Sequence, residues 1–132
     1  MTCFVDTSAV YAVLDGDDAN HADAANQFAA MRGEELVTHN YVLVETAALL
    51  QRRLGLDVLR RFVVDVVPVL RVVWVDEDLH ARAATDVMTF GRRRVSLVDR
   101  VSFAVMRRHG VAVAFAFDDD FRGEGFVLVP SA

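Results

Sequence analysis

The stretch Phe4-Val5-Asp6-Thr7-Ser8-Ala9-Val10 decides the fold that we expect for this chain. A short apolar run ends abruptly on a carboxylate, and two hydroxyl residues and small helix-forming residues follow at once. This pattern predicts a buried first strand with Asp6 at its carboxyl end and a helix that begins directly after it. Ligands of open α/β sheets bind in the crevice beyond the carboxyl ends of the strands. Asp6 is therefore predicted to lie at a functional site.

The rest of the chain alternates between strand patterns and helix patterns. The apolar run over residues 111–117 is unbroken, which is typical of a strand buried on both faces. Strands separated by helical segments form a parallel sheet with helices on both faces. We therefore expect a single α/β domain over residues 1–132, with a central, twisted, mostly parallel sheet of about five strands. The other strands are predicted at residues 36–38, 70–75 and 126–129.

Polar residues ahead of the helical segments are expected to cap them. Asn20, Asn40 and Asp57 are the predicted caps of the second, third and fourth helices, because short polar side chains accept hydrogen bonds from the first turn. The 4 histidines show no metal-ligand spacing. His39 and the others are therefore interpreted as surface or capping residues.

Composition limits the classes of protein to which the chain can belong. The formal net charge is −5, which argues against a general nucleic-acid binder, although every basic residue other than histidine is an arginine. No apolar run approaches the roughly 18 residues of a membrane span, and no signal peptide is visible. Cys3 is the only cysteine, so no internal disulfide is expected. We therefore expect a cytoplasmic protein that does not enter a membrane.

Three more acids have unusual surroundings in the sequence. Glu45 and Asp99 have no basic residue three or four positions away on their predicted helices, and Asp118 ends an apolar strand as Asp6 does. For Glu45 the simpler interpretation is chance surface placement, and for Asp99 it is a first-turn acid that complements the helix dipole. In the run that begins at Asp118 we expect one side chain to point inward, with Asp118 the first choice and Asp120 the second.

Four carboxylates in one pocket would need a counter-charge. Two unit charges ~4 Å apart repel by about 4 kcal/mol at an effective dielectric of 20. Such a cluster either takes up protons or recruits a divalent cation. All-oxygen ligands suit Mg²⁺, with Mn²⁺ as a substitute, and the predicted site is therefore a magnesium site.

At this point the motifs match a known pattern. The chain resembles PIN-domain nucleases, and in size and sequence motifs it is similar to the VapC-type toxins of bacterial toxin–antitoxin pairs. Any one motif is weak, but together they follow the family's order over nearly the whole chain. The matching segments are Val5-Asp6-Thr7-Ser8-Ala9, Asn40 to Leu49 with Glu45, Ser96-Leu97-Val98-Asp99, Ser102-Phe103-Ala104-Val105-Met106 and Phe117-Asp118-Asp119-Asp120-Phe121.

The resemblance implies a Mg²⁺-dependent endoribonuclease that leaves 5′-phosphate and 3′-hydroxyl ends. In this sequence Asp6 and Asp99 would be the main metal ligands, and Glu45 and Asp118 would complete the site by binding metal or ordering water. Ser8 would support the site through a hydrogen bond to an acid. One departure is Ala116, where related toxins often carry threonine.

The resemblance also implies partners. It suggests a homodimer, an RNA substrate of the tRNA or rRNA class, and a small antitoxin that covers the acidic groove. We expect the antitoxin groove on the apolar third and fourth helices, although ordinary core packing is the simpler interpretation of most of their residues. The residues concerned are Val42, Leu49, Leu56, Leu59 and Phe62.

Parts of the sequence are also compatible with roles other than that of a nuclease. The arginines ahead of the Asp99 helix are candidates for binding RNA phosphates, and a solvated loop explains them equally well; they are Arg92, Arg93 and Arg94. A receiver domain needs a lysine, which the chain lacks, and a haloacid-dehalogenase-type phosphatase needs a second aspartate where Ser8 stands. A non-catalytic PIN-like scaffold, for RNA binding or protein interaction, is the main alternative.

Overall fold

The computed structural model describes residues 1–131 and shows one sheet of five parallel strands. The strands lie in the order β3-β2-β1-β4-β5. This arrangement confirms the predicted α/β fold, and every strand pair in the described residues is parallel. The strands are β1 (Thr2–Val5), β2 (Glu35–His39), β3 (Arg71–Val73), β4 (Val113–Phe115) and β5 (Val127–Val129).

Helices cover both faces of the sheet. Those described within residues 1–131 are α1 (Thr7–Leu14), α2 (His21–Ala30), α3 (Asn40–Leu54), α4 (Leu56–Arg61), α5 (Glu77–Phe90), α6 (Leu97–Arg108) and α7 (Asp120–Gly123). A π-helical turn (Phe62–Val66) and a 3₁₀ turn (Val67–Val69) follow α4. Within the described part of the chain, no helix has the length and apolar character needed to cross a membrane.

The central strand β1 connects two hydrophobic layers. Phe4 packs on one face with residues of α5, α6 and α7, including Phe103. Cys3 and Val5 point to the opposite face and pack with residues of α1 and α3, including Leu50. Because successive side chains of a strand alternate between faces, one four-residue strand organises both layers and fixes the position of Asp6 at its end.

Two predicted strands are shorter than expected. The strand predicted over residues 111–117 is only β4, because the Val111 amide donates to the Met106 carbonyl at 2.8 Å and the Phe117 amide donates to Ser8 Oγ at 3.0 Å. The strand predicted over residues 70–75 is only β3, because the Leu70 amide is bonded within the preceding 3₁₀ turn. In both places an apolar run continues past the residues that hydrogen-bond into the sheet.

The predicted cap of α3 is wrong by one residue. His39, not Asn40, caps this helix, and its Nδ1 accepts a hydrogen bond from the Val42 amide at 3.3 Å. Asn40 instead accepts a hydrogen bond from the Val75 amide at 2.7 Å, which ties the start of α3 to the end of β3. His39 is therefore a capping residue as expected, but it is fully buried and not on the surface.

Of the other two predicted caps, Asn20 stands at the predicted position and Asp57 does not. Asn20 precedes α2, but its side chain makes no capping hydrogen bond. Gly55 precedes α4 with a φ of 94°, a conformation that favours glycine. Asp57 lies in the first turn of α4 and pairs with Arg60 at 2.9 Å. A backbone turn, not a side-chain cap, therefore starts α4.

Candidate active site

The site lies where the strand order reverses. β2 pairs with one edge of β1, whereas β4 pairs with the other edge. The crevice at such a switch point, beyond the carboxyl ends of the strands, is the usual ligand site of an open α/β sheet. The Asp6 amide donates to the Phe115 carbonyl at 3.0 Å, so the ends of β1 and β4 lie side by side here.

Asp6 is a buried carboxylate at this crevice. Its side chain caps α1 and accepts hydrogen bonds from the Ser8 amide at 3.2 Å and the Ser8 hydroxyl at 2.7 Å. Burial raises the pKa of Asp6 to about 7; the hydrogen bonds from Ser8 oppose this rise, and the charges of Asp99 and Glu45 add to it. The negative form of Asp6 is therefore costly in the metal-free protein.

Ser8 links the two strand ends. Its Oγ donates to Asp6 Oδ2 and accepts a hydrogen bond from the Phe117 amide at 3.0 Å. A hydroxyl has one donor and two acceptor positions, so this single side chain fixes the carboxylate after β1 against the backbone after β4. The hydrogen bond to an acid that was expected of Ser8 is present.

Replacing Ser8 by alanine is expected to destabilise the protein by about 1–3 kcal/mol, because the Phe117 amide loses its hydrogen-bond partner. The pKa of Asp6 is expected to rise further, since a hydrogen bond that favours its charged form is removed. Urea denaturation measures the first effect, and NMR titration of the Asp6 carboxyl measures the second. Threonine at the same position retains the hydroxyl and serves as the control. Equal stability of the alanine variant and the natural protein would contradict this role.

Asp99 is both a helix cap and a neighbour of the other acids. It forms a capping box with Ser96: Asp99 Oδ2 accepts from the Ser96 amide at 2.9 Å, and Ser96 Oγ accepts from the Asp99 amide at 3.1 Å. Burial raises the pKa of this half-buried residue, the bonds from Ser96 lower it, and the charges of Glu45 and Asp120 raise it again. The first-turn role considered for Asp99 is therefore real, and it coexists with a place among the acids.

Glu45 reaches the same crevice from α3. The residue is exposed, in line with the simpler interpretation of the sequence. Its charge nevertheless raises the pKa of both Asp6 and Asp99. Glu45 thus faces the crevice from the solvent side.

The side chains of the three consecutive aspartates after β4 do not all point the same way. Asp118 is half-buried and accepts a hydrogen bond from the Asp120 amide at 2.9 Å; burial raises its pKa, and the charges of Asp99 and Asp120 add to the rise. Asp120, whose side chain is 12% exposed, pairs with Arg92 at 3.4 Å. Asp119 points outward to Arg122 at 2.7 Å. The expectation that one of the three points inward is wrong, because two of them do.

We call Asp6, Glu45, Asp99, Asp118 and Asp120 the acid group. Asp99 is its centre, because its charge interacts with each of the other four. In residues 1–131 no cation lies within ion-pair distance of any member except Asp120.

The donor chemistry of the acid group fits a hard divalent cation. Carboxylate oxygens are the preferred ligands of Mg²⁺, and burial, together with the charges of the neighbouring acids, raises the pKa values of Asp6, Asp99 and Asp118. As the side chains stand, no three acids, histidines or cysteines of residues 1–131 are grouped closely enough to hold an ion. Binding of an ion by three or more of these carboxylates therefore requires them to rotate toward one another.

Comparison with known proteins agrees with this topology. The family model of the PIN domain matches residues 3–124. The chain belongs to the PIN-domain family. This PIN domain is also 39% identical, over 127 residues, to the 23S rRNA-specific endonuclease VapC20 of Mycobacterium tuberculosis, with 96% of each chain covered. The resemblance to VapC-type toxins stated from the motifs is thereby confirmed.

Solved structures give the same result for the fold. The crystal structure of M. tuberculosis VapC20, described as a toxin that cleaves the sarcin-ricin loop, matches this PIN domain with a TM-score of 0.85 and 38% identity, over 96% of this chain and 97% of that one. FitAcB from Neisseria gonorrhoeae matches with a TM-score of 0.71 and 14% identity, over 97% and 96% of the two chains. The second likeness shows the fold alone.

One polar network beneath the site was not foreseen. His39 Nε2 lies 2.8 Å from Ser102 Oγ, and Ser102 Oγ donates to the Val98 carbonyl at 3.0 Å. The histidine must therefore donate through Nε2 and accept through Nδ1, and burial lowers its pKa to about 3. This neutral histidine connects the start of α3, which carries Glu45, to α6. A histidine directly ahead of a helix was the available signal.

Proposed function

We propose that this PIN-domain protein is a divalent-metal-dependent endoribonuclease toxin that cleaves ribosomal RNA. The observation that carries the proposal is Asp6, a buried carboxylate with no cation beside it in the described chain and with two further acids near enough to raise its pKa. The similarity to VapC20 over nearly the full length supports RNA as the substrate. Of the two expected classes, tRNA and rRNA, it favours rRNA.

Each acid has a separate part in this proposal. Asp6 and Asp99 hold Mg²⁺, with Mn²⁺ as a substitute, while Glu45 and Asp118 complete the site by binding the ion or accepting hydrogen bonds from the attacking water. When bound, the ion polarises a phosphoryl oxygen and lowers the pKa of a water. Ser8 keeps Asp6 in position. Asp118 suits this part better than Asp120, because the charge of Asp120 is already offset by Arg92.

The test is cleavage of purified ribosomal RNA with Mg²⁺, with Mn²⁺ and with EDTA. We expect cleavage with either ion, products with 5′-phosphate and 3′-hydroxyl ends, and no cleavage in EDTA. Cleavage that continues in EDTA would reject the metal site. Tight RNA binding without cleavage under any condition would favour the non-catalytic scaffold.

We further propose an antitoxin partner, a homodimer and a cytoplasmic location. Of the expected groove residues, Val42 and Phe62 belong to the core, each 1% exposed, whereas Leu56 is 58% exposed. Other large apolar side chains are exposed on α3 and the π-helical turn, namely Val44, Val63 and Val64. These apolar residues support a protein partner on this side of the molecule.

A further inference from the structure

A cavity lies beside α6, between this helix and α5. It has a volume of about 430 Å³ and is bounded by the end of α5, the loop that follows, α6 and the end of α7. Arg92 lines this cavity and also pairs with Asp120 of the acid group. The cavity therefore adjoins the proposed active site through one side chain.

The floor of the cavity is an incompletely paired arginine. The Arg100 side chain is only 8% exposed, and of its five N–H groups one is hydrogen-bonded, from Nη1 to Glu124 Oε1 at 2.8 Å. Its Nε is buried and has no partner. Buried polar groups are normally hydrogen-bonded, so this guanidinium has spare donor capacity.

The arginines around the cavity are not fully used by the carboxylates beside them. Glu124 is shared, because its other oxygen accepts from Arg107 Nη2 at 2.9 Å. The lining carries Arg92, Arg100 and Arg107 against the two carboxylates of Asp86 and Glu124, and Arg92 pairs with Asp120 outside the lining. The charges are therefore matched in number, and the feature that suits an anionic ligand is the unused donor capacity of Arg100 beside Arg107.

An exposed aromatic ring covers the arginine. The Phe90 ring lies over the Arg100 guanidinium, 4.9 Å from its centroid to Cζ, and Phe90 is 58% exposed. A ring held against a cation on one face can stack a flat ligand on the other. Base–aromatic stacking of this kind is a common way of holding single-stranded nucleic acid without sequence preference.

We propose that this cavity binds one nucleotide of the RNA substrate, with its phosphate at Arg100 and Arg107 and its base on Phe90. The inference rests on the proposed function, since the occupant is part of the same RNA. A nucleotide offers both an anion and a flat aromatic group, and the volume lies within the range of about 300–1,000 Å³ typical of small-ligand sites. A carboxylate from a partner protein would bind the arginines but would make no stacking contact with the Phe90 ring.

Binding is measured in EDTA, by fluorescence anisotropy with a short fluorescein-labelled single-stranded RNA. Phe90→Ala is expected to weaken binding about tenfold or more, and Phe90→Trp is expected to restore it. Met88→Ala is the matched control, because Met88 is exposed on the same helix and does not line the cavity. Arg107→Gln is expected to weaken binding and to reduce the salt dependence by about 0.7 in the log–log slope.

Arg60→Gln is the charge control, because Arg60 also lies in the last turn of a helix, in an exposed ion pair. Equal RNA affinities for Phe90→Ala and Met88→Ala, or for Arg107→Gln and Arg60→Gln, would overturn the inference. The inference would also be overturned if Phe90→Ala or Arg107→Gln no longer bound a co-expressed antitoxin but kept its RNA affinity. That result would mean that the cavity binds a protein partner. Binding that needs Phe90 without any metal-dependent cleavage would reject the proposed function and leave the pocket standing.

Discussion

Replacing Asp99 by asparagine is expected to lower the rate of RNA cleavage by about a hundredfold or more. Asp99 lies at the centre of the acid group, because its charge interacts with each of the other four members. Losing one anionic ligand weakens both ion binding and the stabilisation of charge that develops at phosphorus, and removing one group that stabilises transition-state charge typically costs about 10²–10³ in rate. Initial rates at saturating Mg²⁺ measure the effect.

The substitution is designed to leave α6 intact. Asparagine can still accept the hydrogen bond from the Ser96 amide, so the capping box loses little. Asp119→Asn is the matched control, because it removes the same charge from a side chain that is 83% exposed and paired with Arg122 outside the acid group. We expect cleavage by this control to stay within about twofold of the natural protein. Equal losses in both variants would mean that Asp99 has no special part.

The same assay distinguishes Asp118 from Asp120. If Asp118 is the fourth ligand, Asp118→Asn should lose far more activity than Asp120→Asn. Asp120→Asn removes the partner of Arg92, so its expected effect is on RNA affinity and not on the dependence of rate on metal concentration. The opposite ranking would make Asp120 the ligand.

Much of the acid group was predictable because strand ends are visible in the sequence. Asp6 and Asp118 each follow an apolar run directly, and the carboxyl ends of neighbouring parallel strands meet at one edge. Glu45 was found by a different signal, its lack of a basic helical neighbour. That signal identifies an unpaired acid but cannot give its depth, and Glu45 is in fact exposed.

The cavity beside α6 was not predictable in this way. Arg100 and Glu124 are 24 positions apart, and their pairing depends on how α6 and α7 pack. No local sequence pattern predicts a contact of that kind, because an arginine next to Asp99 on a helix is expected to be a surface residue. The cap of α3 also depends on a distant contact, because His39 is held by a hydrogen bond to Ser102 on α6. Local residue chemistry predicts where elements end, whereas contacts between distant side chains require the fold.

The metal-free protein is expected to lose stability as the pH rises from about 4 to about 7. The pKa of Asp6 is about 7 in the folded protein, against an ordinary value of 3.8 for an aspartate, so in this range the folded state binds more protons than the unfolded state. Stability therefore falls with rising pH. At about 1.4 kcal/mol per pKa unit, the full difference is on the order of 4 kcal/mol. Asp99 and Asp118, whose pKa values are also raised, act in the same direction.

Asp6→Asn isolates this contribution, because asparagine caps α1 as well as aspartate does but carries no charge. In EDTA the variant is expected to be more stable than the natural protein at pH 8, and the two should converge toward pH 4. Urea denaturation across the pH range measures the difference, with Asp119→Asn as the control. Mn²⁺ should stabilise the natural protein at pH 8 and lose this effect at pH 5, since protons compete for the same oxygens. Parallel pH profiles of stability for Asp6→Asn and the natural protein would show that Asp6 is an ordinary helix cap. The charged form of Asp6 would then not destabilise the folded state, and an ion would gain nothing by neutralising it.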